Sequence, residues 1–353
     1  MATGKFSAYP INDGGYNRVF LESPAGDRAI FALQGGSMEG LRFNYPSLGD
    51  PAELVFPHES YDELREKPTL RGGAILSMNN RTEDGMFQVI DPRTKRLAWT
   101  MELEKNCPGD DPKDHLHGDA RYAAFSNTFL KPYDDKAVAV LDYVTPEPKN
   151  PRGMPANILY KMTSILRKGV LDEYALVRNG SKKIIPVCIG RHQSWRIPYK
   201  EMEPSTPIDE LEFQIDSHNM LEVNDPKYLN PTGKLLPLNG HPLDFSRMRK
   251  LGNTVFNNTL VMDPGSKPEE RTARIFNREY GIGVGIGCGN GVDHTTVWTK
   301  DMNPGRRELF AVEPGNRHSG SGKHPMELGQ VSLNPDDWIR FHWRFVPIEL
   351  SDL

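Results

Sequence analysis

Period-two alternation of apolar and polar residues constrains this chain more than any other feature. In Trp338-Ile339-Arg340-Phe341-His342-Trp343-Arg344-Phe345, Ile339, Phe341, Trp343 and Phe345 share one face, and Arg340, His342 and Arg344 take the other. Leu211-Glu212-Phe213-Gln214-Ile215-Asp216 divides as cleanly. Strands patterned this way bury one face and wet the other, as antiparallel sheets do. Further strand-like runs lie at 27–34, 137–144, 157–166, 171–178, 183–192, 273–277, 295–299 and 308–313. Turn signals such as Asn179-Gly180, Asn239-Gly240 and Asn290-Gly291 punctuate them. Helical periodicity is confined to one or two turns at 59–66, and strands do not alternate with long helices, which argues against a doubly wound sheet. With 32 Gly and 29 Pro among 353 residues, turns are frequent and long helices disfavoured. The expected fold is all-β, a large antiparallel β-sandwich forming a single domain over 1–353. Residues 1–16 are expected as a mobile tail or an edge strand.

Charge and cysteine usage narrow the function classes. A net charge of −4 gives no strong basic field for nucleic acid or an anionic membrane. No apolar run approaches the length of a transmembrane helix. The N-terminal segment MATGKFSAYPINDGG lacks the apolar core of a signal peptide, so a cytoplasmic location is expected. Three distant cysteines, Cys107, Cys188 and Cys288, form neither a disulfide framework nor a thiolate zinc site.

Three local signals invite functions that the residues do not carry. In 281–291, GIGVGIGCGNG, every glycine is odd-numbered, whereas the dinucleotide fingerprint G-x-G-x-x-G needs glycines of both parities followed by a helix. Such a strand instead lets another backbone or a flat ring approach closely. His115 and His117 form an HxH pair near Asp110, Asp111 and Asp114, but no third ligand has a recognisable spacing, and no metal is expected. Arg340, His342 and Arg344 form a basic strand face, read as the solvated side of a sheet because nucleic-acid binding calls for more charge and interleaved aromatics.

Four segments, taken in order, carry more. They are His117-Gly118-Asp119-Ala120-Arg121; Asn179-Gly180 leading through Cys188-Ile189-Gly190-Arg191 to His192; Pro231-Thr232-Gly233 with His241-Pro242-Leu243-Asp244-Phe245-Ser246-Arg247; and Val297-Trp298-Thr299 with Leu309-Phe310-Ala311-Val312-Glu313-Pro314. Together they resemble the aldose 1-epimerase (galactose mutarotase-like) superfamily, most clearly from about 68 to 345. The resemblance implies the superfamily's β-sandwich and cofactor-free interconversion of sugar anomers. It departs where His192 is followed by Gln193-Ser194-Trp195, and Asp119 replaces an apolar residue. Arg71-Gly72-Gly73 resembles the hexose-6-phosphate epimerase branch, whereas Asn80-Arg81 resembles the free-sugar mutarotases.

The chemistry explains the residue types. Opening an aldopyranose removes the anomeric hydroxyl proton and delivers a proton to the ring oxygen; closure after rotation reverses both transfers. One base and one acid on opposite sides of the ring suffice, each contributing roughly 10²–10⁴-fold. The resemblance implies Glu313 as the general base and His192 as the acid, with His117 beside the ring oxygen and able to share the acid role. It implies Asp244 as an acceptor of sugar hydroxyls. Glu313 shares a strand face with Leu309 and Ala311, where desolvation would raise its proton affinity. Arg71, Arg81 and Arg121 are candidate cations for a sugar phosphate, since an arginine fork pairs two phosphate oxygens. Trp195 could stack on a sugar face or pack in the core. The expected partner is a monosaccharide or sugar phosphate, bound by a monomer or homodimer. A non-catalytic carbohydrate-binding protein on the same scaffold is the alternative.

Overall fold

The alternating runs become strands with the expected faces buried. In the computed structural model, which describes residues 5–107, 113–197, 208–224, 229–262, 272–299, 309–317 and 323–353, the strand Trp338–Glu349 buries Phe341, Trp343 and Phe345. It lies centrally in a sheet of nine described strands. Their order is Ser126–Pro132, Ala137–Val144, Ile158–Arg167, Val170–Asn179, Trp338–Glu349, Ile282–Cys288, Thr272–Asn277, Glu212–Ile215 and Arg249–Lys250. A second sheet orders seven described strands as Pro231–Pro237, Ser217–Val223, Asn257–Met262, His294–Thr299, Phe310–Gly315, Gly190–Trp195 and Gly73–Leu76. Every strand pairing described in these two sheets and in the N-terminal sheet below is antiparallel. The protein is therefore an all-β sandwich.

The N-terminal segment is an edge strand. Ser7–Asp13 opens a five-stranded antiparallel meander that continues through Tyr16–Glu22, Arg28–Ala32, Met38–Asn44 and Pro51–Glu53. One apolar cluster runs from Phe6 through the meander to Phe310 and Phe345. The expected helix is the single turn and a half Tyr61–Glu66, whose N-cap Ser60 accepts from the Glu63 N–H. Among the described residues, no helix is long and apolar enough to cross a membrane.

The run expected at 183–192 is broken in two. Ile185–Pro186 pairs with Ser332–Leu333, and a separate strand begins at Gly190. Pro186 has no N–H for a ladder. The following carbonyls are taken individually: Val187 by the Asn316 amide, Ile189 by the Asn316 N–H and Cys188 by the Asn79 N–H. The glycine strand Ile282–Cys288 accommodates close packing, as the sequence suggested: a Cβ at Gly283 would lie 2.2 Å from the Ile275 carbonyl oxygen.

One buried ion pair bolts the sheets together. Arg191 and Glu173 are both fully buried, one on each sheet, with Nη2 to Oε1 at 2.8 Å. Glu173 Oε1 also accepts from Ser164 Oγ, and Arg191 Nη1 donates to the Gly73 carbonyl of the neighbouring strand. Burial pushes the Glu173 carboxyl up and the Arg191 guanidinium down, so each charge depends on the other. Removing one partner strands a buried charge, which typically costs about 3–5 kcal/mol, whereas replacing both with apolar groups is far milder. Glu173→Ala and Arg191→Met should each lose stability on that scale in urea unfolding, and the Glu173→Leu/Arg191→Met double variant should recover much of it. Single-variant losses below about 1 kcal/mol would remove this pair from the list of main supports.

Candidate functional site

Strand register brings the two groups expected for proton transfer into contact. Gly190–Trp195 and Phe310–Gly315 are antiparallel neighbours, with Gly190 opposite Gly315 and Gln193 opposite Val312. His192 and Glu313 therefore project from the same sheet face, and His192 Nε2 lies 3.1 Å from Glu313 Oε1. Arg191 and Val312 point the other way, into the core. The expectation of acid and base on opposite sides of a ring is corrected: they stand side by side. The register sets positions 192 and 313 opposite each other on adjacent strands.

His117 completes the group from outside the sheet. Its ring stands edge-on to His192 at 5.3 Å, and ligand atoms of His117, His192 and Glu313 all lie within 4.8 Å of one another. The local backbone explains the His-Gly dipeptide. His117 and Gly118 both have positive φ, 64° and 71°, and a Cβ at 118 would meet Ser77 Oγ at 2.3 Å and the Met78 nitrogen at 2.7 Å. Only glycine fits position 118. His117 is held in its strained conformation by its N–H on the carbonyl of Asn80, itself at φ 68°.

The floor of the site explains two further glycines. Gly190 and Gly315 face each other, and the Asn79 side chain lies across them, so that a Cβ at 315 would sit 2.4 Å from Asn79 Nδ2. Beyond Glu313 on the same face, Thr296 and Thr259 share a 2.9 Å hydrogen bond, and the Asn80 amide donates to Thr296 at 3.2 Å. Half-buried Trp298 stands edge-on to His192 at 6.2 Å.

Burial sets the protonation states. His117, His192 and Glu313 are 7%, 5% and 2% exposed, so each charged form is poorly solvated. Burial pushes the Glu313 carboxyl up to about 8. Burial, followed by repulsion from Arg121, pulls His192 down to about 3. His117 is held well below its usual value by burial, then by Arg121, His192 and Arg81. Burial thus favours the uncharged form of each of the two contacting groups. Glu313 Oε2 and the Nδ1 atoms of His117 and His192 are buried without protein hydrogen-bond partners, as are both amide atoms of Asn79. Clusters of unmet buried polar atoms are costly and typify sites built for a polar ligand.

The remaining candidates separate. Arg121 is 3% exposed, with its guanidinium 4.6 Å from the Tyr122 ring centroid, Nε unpartnered and no carboxylate at ion-pair distance among the described residues. Arg81 likewise has no ion-pair partner among the described residues, and its charge acts on His117. Arg71 is already matched, at 2.5 Å from Glu59 and 3.8 Å from Glu63. Asp244 Oδ1 accepts from the Ser246 N–H and Oγ, capping its own turn, and has no hydrogen bond to the acid–base group. Trp195 is fully buried against Phe345, so the stacking role is corrected to core packing. Its side chain follows Arg191 and Gln193 onto the inner face. Trp298 is the aromatic group beside His192.

Two imidazoles and a carboxylate could ligate a metal such as zinc. Two of the three, His192 and Glu313, come from strands far along the chain, so no ligand spacing marked the set in sequence. His115 is not part of this set; its Nδ1 is tied to the Glu104 carbonyl. The nearby Arg121 charge, which already disfavours protonated His117 and His192, opposes a dication here. Asp110 and Asp111 lie outside the described residues, so their part in an ion site carries no structural statement.

The sequence profile of the aldose 1-epimerase family matches residues 17–341. Solved structures with the same architecture include a galactose mutarotase-like protein from Clostridium acetobutylicum, 15% identical, covering 98% of this chain and 99% of that one, with a TM-score of 0.80. A galactose 1-epimerase from Lactobacillus acidophilus NCFM is 15% identical over 98% of each chain, TM-score 0.72. An aldose epimerase homologue from C. elegans is 15% identical over 98% and 99%, TM-score 0.71.

The opposed shifts give a stability signature. His192, depressed in the fold from 6.5 to about 3, leaves the unfolded chain binding more protons between those values, so its contribution rises with pH there. Glu313, raised from 4.5 to about 8, does the reverse, and its contribution falls across that window. The two cancel between 4.5 and 6.5. Glu313→Gln should therefore flatten the decline above 6.5, a slope of at most roughly 1.4 kcal/mol per pH unit. Urea unfolding of both proteins from pH 5 to 8.5 checks this; parallel curves would contradict the neutral carboxyl.

Proposed function

The chain belongs to the aldose 1-epimerase family, and from that premise we propose that it interconverts the α and β anomers of an aldohexose or hexose 6-phosphate. The observation that carries the reading is the buried carboxyl–imidazole contact between Glu313 and His192. The anomeric oxygen and the ring oxygen are attached to the same carbon, so adjacent donor and acceptor groups can serve both. The anomeric O–H loses its proton, C1=O forms as the bond from C1 to the ring oxygen breaks, and the ring oxygen gains a proton. Rotation about C1–C2 and the reverse transfers close the other anomer.

The resemblance assigns the base to Glu313 and the acid to His192, and one proton shift makes that form. Moving the shared proton from the Glu313 carboxyl to His192 Nε2 yields a carboxylate beside an imidazolium. Arg121 opposes that shift because its charge disfavours protonated His192 and His117. A phosphate paired with Arg121 would relieve the repulsion while using a guanidinium with no carboxylate at ion-pair distance among the described residues. This favours a phosphorylated sugar, with Arg121 and Arg81 on the phosphate. His117 would hold the ring oxygen, Asp244 a sugar hydroxyl and Trp298 a sugar face. We read the chain as one domain, supported by the continuous core cluster.

Polarimetry with fresh α-D-glucose and exchange NMR with glucose 6-phosphate should both show accelerated anomer exchange, faster per unit concentration for the phosphate. Glu313→Gln should lower kcat by about 10²–10⁴. Sugar binding without exchange would establish the non-catalytic alternative. Arg121→Gln should raise KM for glucose 6-phosphate about tenfold or more while leaving the KM of the free sugar little changed. Equal losses for both sugars would discard the phosphate reading.

A further inference from the structure

The outward face of the nine-stranded sheet carries a second hollow, unconnected with the acid–base group. It has a volume of about 320 Å³ and is lined by Tyr174, Gly287, Gly289, Asn290, Arg340, Phe341, His342 and Arg344. Its floor is made by the glycine run. A Cβ at Gly289 would lie 2.7 Å from His342 Nδ1, and one at Gly287 3.3 Å from Arg344 Cβ. Any larger residue there would displace the basic side chains.

Those side chains are held in place from beneath. Asp172, fully buried, accepts from His342 Nε2 at 2.8 Å, Arg344 Nε at 2.7 Å and Arg167 Nη1 at 2.5 Å. Burial alone would raise its carboxyl, but the hydrogen bonds and charges of His342 and Arg344 bring it down to about 2. The Tyr174 ring stacks parallel on His342 at 4.4 Å, fixing the imidazole plane. Arg340 rests over Trp338 at 5.2 Å and has no acidic partner among the described residues. Two guanidiniums, Arg344 and Arg167, thus already share one carboxylate, and Arg340 adds an unmatched cation at the hollow, on a chain whose net charge is −4.

We propose that this hollow binds the phosphate of a small phosphorylated metabolite, with Arg340 and Arg344 as its donors beside the fixed ring of His342. The basic groups are oriented before binding, and the surplus positive charge is local. A neutral sugar would leave that charge unmatched. The small volume of the hollow and the chain's net charge of −4 disfavour a long polyanion. The site is independent of the proposed anomer exchange, and either can fail alone.

Calorimetric titration of the full chain with inorganic phosphate tests it, with methyl glucoside as the neutral control. Saturable phosphate binding is expected, weakening with added salt. Arg340→Gln, at an exposed position, should reduce affinity about tenfold or more. Arg344→Gln should do likewise, with its unfolding midpoint measured alongside because it also contacts Asp172. Arg121→Gln should leave this binding intact. Absence of phosphate binding at millimolar concentrations, or binding lost in Arg121→Gln and preserved in Arg340→Gln, would overturn the proposal.

Discussion

The Arg191–Glu173 ion pair is the contact on which the geometry of the site rests. Alternation along Gly190–Trp195 sends Arg191 inward and His192 outward, so the residue that anchors the strand adjoins the residue that faces Glu313. The guanidinium reaches Glu173 on the opposing sheet and the Gly73 carbonyl on the adjacent strand. Two sheets and an edge strand are thereby fixed at one point. A purely apolar contact would fill the same volume, but it would not specify which carbonyl and which carboxylate the strand must meet.

On the outward side, the same strand obeys a different economy. His192, Glu313, His117, Asn79 and Arg121 are buried with hydrogen-bonding capacity left over. Folding has retained strained backbone at Asn80 and His117 and given up side chains at Gly118, Gly190 and Gly315 to hold them together. The cost is borne by the well-packed interior around Phe213, Phe310, Trp343 and Phe345. Stability and chemistry are thus divided between the two faces of one sheet.

What sequence reading recovered follows from this division. Half-exposed strands such as Ile158–Arg167 and Trp338–Glu349 alternate in polarity and were legible. Met38–Asn44 is buried through most of its length, so alternation gave no sign of it. Gly190–Trp195 is buried at every position yet polar at most of them, and local pattern could not mark its limits. The motif resemblance supplied His117, His192 and Glu313, which the fold brings together. It could not show that Arg71 is neutralised by Glu59, a partner from the short helix region, or that Trp195 falls on the inner face while Trp298 reaches the site.

Direct contact between Glu313 and His192 also bears on how the site exchanges with its surroundings. Two groups bonded to each other can recover internally whatever hydrogen is lent to a sugar oxygen, so each cycle of the proposed reaction ends with the inventory it began with. Such a chamber needs a doorway for the carbohydrate but no wire of water molecules to the bulk. Near-complete enclosure is then compatible with the proposed reaction.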